Sequence, residues 1–212
     1  MFSGRPQKDK GNARLYFDEH LRINDYYSED QTAFGMWIGK GSQRLGVREG
    51  SIVMRDDFVA LCDNTHPATG KAGPLTQRLN PERRVMFDFT CSAPKSVSVM
   101  AVTLNDQRII EAHQAAARIG LKELEQFAAT RIRKGGINDD RITGELTGAE
   151  FTHTVSRALD PQLHTHFTLF NATFDPVEQR WKALQTSALF DAIHYGTEVY
   201  LNELVRRLHG LG

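Results

Sequence analysis

The chain has 212 residues, of which 40% are hydrophobic and 25% are charged, and its formal net charge is zero. These values are typical of a globular domain with a sizeable core, and they exclude a protein that binds nucleic acid through net charge alone. No apolar run approaches the ~18 residues of a membrane span and no secretory signal is present, so a cytoplasmic protein without a membrane segment is expected.

The first third of the chain is predicted to contain few regular elements. It opens with a polar lead, continues through the tyrosine-rich stretch LYFDEHLRINDYYSED (15–30), and reaches a turn that Gly39 and Gly41 indicate. Residues 55–62 predict a short helix. Residues 63–82, which carry Gly, Pro and Asn, predict a long loop.

A strand followed by helices is predicted in the middle of the chain. VMFDFT (85–90) is rich in β-prone residues, and after it Ser92 as a cap and Pro94 in the first turn are typical of a helix start. Apolar residues then recur at helical spacing, which predicts a long amphipathic helix from Asp106 to Thr130.

The last third is predicted to be mostly strands with one closing helix. Strands are expected at about 141–156 and 163–174 and at RWKAL (180–184), before a helix from about Thr186 to Leu208. Runs of strands and helices without strict alternation predict the α+β class, with a central antiparallel sheet and flanking helices.

Three histidines lie close together in THTVSRALDPQLHTHFTLFN (152–171). Side chains two residues apart in a strand share a face, so His164 and His166 are expected on one face and Phe167 on the other. If ALDP (158–161) is the turn, the residue opposite His153 is near position 165. The three imidazoles are therefore predicted to converge.

Three converging imidazoles are typical of a site for one divalent ion with open coordination positions. The alternative is that each histidine is an ordinary core or surface residue. Imidazole suits zinc, nickel, copper or iron, whereas a phosphate substrate would favour magnesium or manganese. The two cysteines, Cys62 and Cys91, lack the spacing of a thiolate site.

Tyr16, Tyr26 and Tyr27 lie in a polar context where a core aromatic residue is not the first expectation. Half-buried packing is one interpretation, because tyrosine is enriched where one end of the ring is apolar and the other is wet. The other is nucleophilic chemistry. A phenol has a pKa near 10 and needs a metal, base or cation to favour its ionised form.

Several motifs resemble a known family. MWIGKGSQRLG (36–46), FDFTCSAPKSVSVM (87–100) and HTVSRALDPQLHTHFTLFN (153–171), preceded by paired tyrosines, are similar to the relaxase domain of MobF-type conjugative relaxases, which are HUH single-strand endonucleases. The resemblance runs from about Leu15 to the C-terminus. It implies the antiparallel palm shared by HUH enzymes.

The resemblance also implies an activity. In this family a tyrosine hydroxyl attacks a phosphate in single-stranded DNA at an origin of transfer, releasing a 3′-OH and leaving a 5′-phosphotyrosine. Tyr16 matches the first nucleophile, and the later pair, Tyr26 and Tyr27, would serve a second strand transfer. Asp88 matches a carboxylate that orients a metal-binding histidine or assists tyrosine deprotonation.

The remaining expectations concern the metal, the partners and the domain. His153, His164 and His166 match the family's metal triad, with Mg²⁺ or Mn²⁺ expected and Zn²⁺ or Ni²⁺ conceivable in a crystal. Other relaxosome proteins are further candidate partners beside single-stranded DNA. Because family domains run further, residues 1–212 are expected to be one relaxase domain that lacks the C-terminal DNA-clamping part.

Two other functions fit part of the pattern. A catalytically idle module that binds single-stranded DNA would share the same motifs. A cupin-type metalloenzyme also uses H-x-H on a strand, but it needs a Glu a few residues later and an almost all-β chain, whereas the next Glu here is Glu178. Divalent-dependent nicking of an oligonucleotide separates the three.

Overall fold

The computed structural model describes residues 1–7, 15, 18, 35–69, 74–77, 84–134, 137–156 and 158–211. Within these ranges the strands are β1 (Phe2–Gln7), β2 (Met36–Ile38), β3 (Met86–Ser92), β4 (Ala129–Lys134), β5 (Ile137–Ile142), β6 (Gly148–Val155), β7 (Pro161–Phe170), β8 (Thr173–Asp175), β9 (Arg180–Lys182) and β10 (Leu184–Gln185). The helices are α1 (Gly41–Arg44), α2 (Arg55–Cys62), α3 (Lys95–Thr103), α4 (Gln107–Glu125), α5 (Ser187–Asp191) and α6 (Ile193–His209). No helix in the described ranges is long and apolar enough to cross a membrane.

A five-stranded antiparallel sheet, in the order β1-β3-β7-β6-β2, forms the centre of the fold. Alternate residues of its strands point to two separate hydrophobic cores. Phe89 and Phe167 pack in the core that α4 and α6 cover, whereas Phe151 and Phe170 pack in the core that contains Phe58 of α2. The predicted α+β class with a central antiparallel sheet and flanking helices is confirmed.

The polar lead at the N-terminus, for which no strand was predicted, contains the edge strand β1 at residues 2–7. Phe2 is buried and stacks on Phe167, with ring centroids 6.0 Å apart, and it meets the ring of Tyr200 edge-on. The buried Phe2 ring therefore anchors the start of this strand to the core. β1 pairs with β3 along its whole length, so that Arg5 lies opposite Asp88.

The long amphipathic helix is confirmed, but it ends at Glu125 and not at Thr130. The buried Glu125 carboxylate accepts hydrogen bonds from the backbone N–H groups of Lys40 and Leu146, at 2.8 and 2.9 Å. Burial is the main cause that raises the pKa of Glu125. Thr130 instead belongs to β4, where it pairs with β5 and β10.

The short helix at 55–62 is confirmed, and residues 63–69 and 74–77 of the predicted loop contain no helix or strand. The helix predicted to start at Ser92 begins later, at Lys95, with Pro94 as its N-cap, because Ser92 is still paired in β3.

The later predicted elements are each divided in two. Residues 143–147 separate β5 from β6, since the N–H groups of Thr143 and Gly144 both donate to the carbonyl of Ala128. Asn171 follows the last residue of β7. Its side-chain amide donates to the carbonyl oxygen of Arg84 and accepts from the backbone N–H of Leu184. The C-terminal helix breaks at Ala192 into α5 and α6.

Candidate metal centre

The three predicted histidines lie together on one face of the central sheet. His153 is on β6, and His164 and His166 are on β7. Their ring centroids are 5.4 Å apart for His153 and His164, 5.7 Å for His153 and His166, and 5.0 Å for His164 and His166. The predicted parity is correct, because Phe167 lies in the core on the opposite face.

The observed register is close to the predicted one. His153 lies directly opposite His164, one residue from position 165, near which its partner was expected, and the pairing shifts between His153 and Val155. The connection between the two strands is residues 156–160, whereas the turn was predicted at 158–161. The register of β6 and β7 places one imidazole of β6 directly across from one of β7, the arrangement in which side chains of neighbouring strands approach most closely.

Asp88 orients His166 from the adjacent strand β3. Both carboxylate oxygens of Asp88 accept from Nδ1 of His166, at 3.0 and 3.1 Å, and Oγ1 of Thr90 lies 3.3 Å from the same nitrogen. Since a carboxylate only accepts, Nδ1 is the donor of this bond, and Nε2 is the nitrogen through which the ring would bind an ion. The structure thus brings together Asp88 and the histidine that the carboxylate was expected to orient.

His164 has the same tautomer for a different reason. Its Nδ1 lies 2.7 Å from the carbonyl oxygen of Gln162, which can only accept, so Nε2 of His164 is also left with a lone pair. Burial lowers the pKa of His164 and, together with the neighbouring imidazoles, lowers the pKa of the fully buried His153 to about 3. Both rings are therefore neutral near pH 7 and need not lose a proton to bind an ion.

The ring spacing fits one shared ion. With a metal–nitrogen distance of about 2.1 Å, a ring centroid lies about 3.2 Å from the metal, and two rings at a tetrahedral angle lie about 5.2 Å apart. The observed separations bracket that value. However, the donor atoms of the described residues do not yet converge, since no set of three or more His, Cys, Asp or Glu side chains has ion-binding geometry. Binding one ion through all three imidazoles would require the histidine side chains to rotate.

The tyrosines predicted as nucleophiles, Tyr16, Tyr26 and Tyr27, lie outside the residues that the structure describes. Their position relative to the histidines therefore stays a prediction.

Sequence reasoning missed several residues around the centre. Arg5 reaches the histidine face because β1 places it opposite Asp88, and it is exposed there. Thr90 shares the face with His166, its partner across the β3–β7 pair. The alternation of VMFDFT would have placed Thr90 beside Asp88 on one face, but only the long-range register shows which histidine both of them meet.

Comparisons with known proteins show the family of the chain. The model of the TrwC relaxase family matches residues 10–212. The multifunctional conjugation protein TraI of Escherichia coli is 33% identical over 222 residues, a match that covers 100% of this chain and 12% of TraI. This chain therefore spans about an eighth of the length of that relative.

Solved structures of the conjugative relaxase TrwC in complex with oriT DNA share the fold. A metal-bound structure has a TM-score of 0.84 at 32% identity, and a copper-bound structure has a TM-score of 0.85 at 33% identity. Each match covers 100% of this chain and 71% of the TrwC chain. With a family match over nearly its whole length, a shared fold and the histidine motifs in place, the chain belongs to the TrwC relaxase family of MobF-type conjugative relaxases.

Proposed function

We propose that residues 1–212 act as a single relaxase domain, which nicks and rejoins one DNA strand at an origin of transfer in the cytoplasm. The observation that carries the proposal is the group of three histidines on one sheet face, with Asp88 bonded to His166. The names of the relatives support it, since TraI is a conjugation protein and TrwC was solved with oriT DNA.

His153, His164 and His166 would hold one divalent ion through nitrogen lone pairs. When bound, the ion would neutralise charge on the phosphate oxygens of the substrate and fix the phosphate for in-line displacement. Mg²⁺ or Mn²⁺ is proposed because those oxygens would share the ion, although neutral imidazoles alone suit zinc, nickel or copper. The metal-bound and copper-bound TrwC structures support a divalent ion in this family.

Tyr16 is the proposed first nucleophile. Its hydroxyl loses a proton and its oxygen bonds to the scissile phosphorus, while the bond from phosphorus to the 3′ oxygen breaks and that oxygen takes up a proton. One phosphodiester is exchanged for another, so the step needs no external energy and is reversible. Tyr26 and Tyr27 would accept a second strand when Tyr16 is already occupied.

A metal-binding experiment tests the ion site. Titration of the metal-free protein with Mn²⁺ should show one site, and His164→Ala should empty or greatly weaken it, because one of three nitrogen ligands is lost. His209→Ala, a change at the end of α6, serves as the control and should bind as the parent does. Unchanged stoichiometry in the alanine variants of all three site histidines would end the idea.

A covalent-adduct experiment tests the reaction. The protein is incubated with single-stranded DNA that carries an origin of transfer and with Mg²⁺ or Mn²⁺, and protein–DNA adducts are detected after denaturation. Tyr16→Phe deletes only the hydroxyl, so the variant should bind DNA but form no adduct. DNA mapped to Tyr26 or Tyr27, with Tyr16→Phe fully active, would show that Tyr16 is not the first nucleophile. Binding without any adduct in the parent would favour the idle binding module.

A further inference from the structure

A chain of buried polar groups lies on the opposite side of the sheet from the histidine centre. His113 on α4 is fully buried, with Nδ1 2.9 Å from the hydroxyl of Tyr200 on α6 and Nε2 3.1 Å from Oγ1 of Thr165 on β7. Oγ1 of Thr165 in turn lies 2.9 Å from Oγ1 of Thr152 on β6. This polar chain joins two helices to two strands.

The polar chain meets the sheet at one cross-strand pair, Thr152 and Thr165, which lie directly opposite each other. Every histidine of the centre is a sequence neighbour of this pair. Thr152 precedes His153, and Thr165 lies between His164 and His166. Successive strand residues point to opposite faces of the sheet. The threonine pair therefore faces the helices, and the imidazoles project from the other face.

The polar groups in this chain satisfy one another. Burial lowers the pKa of His113 to about 3, so its ring is neutral, with one N–H and one lone pair. If the Tyr200 hydroxyl donates to Nδ1, then Nε2–H donates to Thr165 and the Thr165 hydroxyl can donate to Thr152. Burying these polar groups still costs desolvation free energy that apolar side chains would not cost, although the hydrogen bonds offset much of it.

We propose that His113 is a positioning residue for the metal centre. Through Thr165 and Thr152 it fixes the paired segments of β6 and β7 from which all three histidines project. This inference rests on the proposed function, because it concerns how well the histidines are held for an ion. This role differs from that of Asp88, which acts on one imidazole ring, whereas His113 acts on the backbone that carries all three histidines.

Mn²⁺ titration of the metal-free protein tests the inference. His113→Leu removes both hydrogen bonds of the ring, and Thr165→Val removes the link to the strands at nearly constant volume. Each should weaken Mn²⁺ binding about tenfold, the lower end of the range for partners that orient ligating histidines. Thr165→Ser restores the hydroxyl and should return the affinity to the parental value.

A second measurement needs no metal. Imidazole signals of His153, His164 and His166 in a ¹H–¹⁵N spectrum of the metal-free protein should shift or broaden in Thr165→Val and recover in Thr165→Ser. Thr197→Val is the matched control on α6, since its hydroxyl accepts from the backbone of Phe2 at 3.0 Å and is not in the polar chain. It should lower the unfolding temperature but keep parental Mn²⁺ affinity.

The outcomes separate the inference from the proposed function. Parental affinity and unchanged imidazole signals in Thr165→Val and Tyr200→Phe would overturn the inference even if His113→Leu fails to fold. Equal loss of affinity in Thr197→Val would also overturn it, because general destabilisation would then be the cause. A parent that binds no Mn²⁺ at all would overturn the proposed metal centre, and the inference with it.

Discussion

Asp88 decides which nitrogen of His166 is available to a ligand. Its carboxylate, on the neighbouring strand, accepts a hydrogen bond from Nδ1–H, so the other nitrogen of the ring faces away from Asp88. Since both Asp88 and His166 are only slightly exposed, with 14% and 16% of their side-chain surfaces accessible, water competes weakly for this contact.

Asp88→Asn is expected to weaken metal binding and nicking by about 10- to 100-fold, the usual loss when the partner of a ligating histidine is removed. The amide keeps the size of the side chain but removes its charge and replaces one of the two acceptor oxygens near Nδ1–H with a donor. Mn²⁺ titration and initial nicking rates would measure the loss. Asp160→Asn, an exposed change in the loop between β6 and β7, is the control. Parental rates in Asp88→Asn would refute the role.

At the scale of elements, α4 and α6 approach each other through two glycines. A Cβ added at Gly196 would lie 2.8 Å from Cγ of Leu124, and one added at Gly120 would lie 3.0 Å from the carbonyl oxygen of Gly196 and 2.7 Å from the Phe2 ring. The two helices therefore contact each other almost backbone to backbone. This close contact also sets where α6 presents Tyr200 to His113.

Gly196→Ala should destabilise the protein by about 1–3 kcal/mol, the usual cost of overpacking. The crowding against Leu124 outweighs the intrinsic preference of alanine for a helix, which is about 1 kcal/mol. Urea unfolding would measure the difference. Gly210→Ala, after the last turn of the same helix, has no atom closer than 3.3 Å to its added Cβ and should change stability little. Equal effects at both positions would contradict this account of the helix contact.

The local sequence pattern predicted an element correctly where a single periodicity was sufficient. Alternation placed His164 and His166 on one face, and helical spacing found α4. It failed where distant residues decide the outcome. The contacts of Glu125 with Lys40 and Leu146, at the end of α4, lie beyond any window of sequence.

The same limit applies to the site. The three histidines could be grouped from spacing alone, whereas the role of Asp88 came from resemblance to a family. His113 carries no local signal, because a histidine within an amphipathic helix is usually an ordinary core or surface residue. Only the packing of α4 and α6 on the sheet places it next to Thr165 and Tyr200.

At the scale of the whole molecule, buried neutral histidines make stability depend on pH. The pKa values of His113 and His153 are lowered from 6.5 to about 3, and burial also lowers the pKa of His164. At a pH between the lowered pKa of the folded protein and the ordinary value of 6.5, the unfolded chain binds more protons at these histidines than the folded protein does. The free energy of unfolding must therefore fall as the pH falls.

The metal-free protein should lose stability progressively from about pH 6.5 downward, by up to about 1.4 kcal/mol per pH unit for each histidine. Urea unfolding between pH 7 and pH 5 would show it, a window in which most carboxylates stay ionised. His153→Gln removes one titrating group and should flatten the slope. A free energy of unfolding that stays constant over this window would contradict the buried, neutral state of these rings.

The separation of Asp88 from the histidines along the chain has a consequence for the order of folding. β6 and β7 are joined by a short connection, and closing such a loop takes about a microsecond or less, with a hairpin complete in about 1–10 μs. β3 precedes β7 by some 78 residues, the separation between Asp88 and His166, and pairing at that range is intrinsically slower. The imidazoles are therefore expected to gather while the protein is still largely unfolded, and the carboxylate that selects the tautomer of His166 is expected to arrive later, with the long-range pairing of β3 and β7.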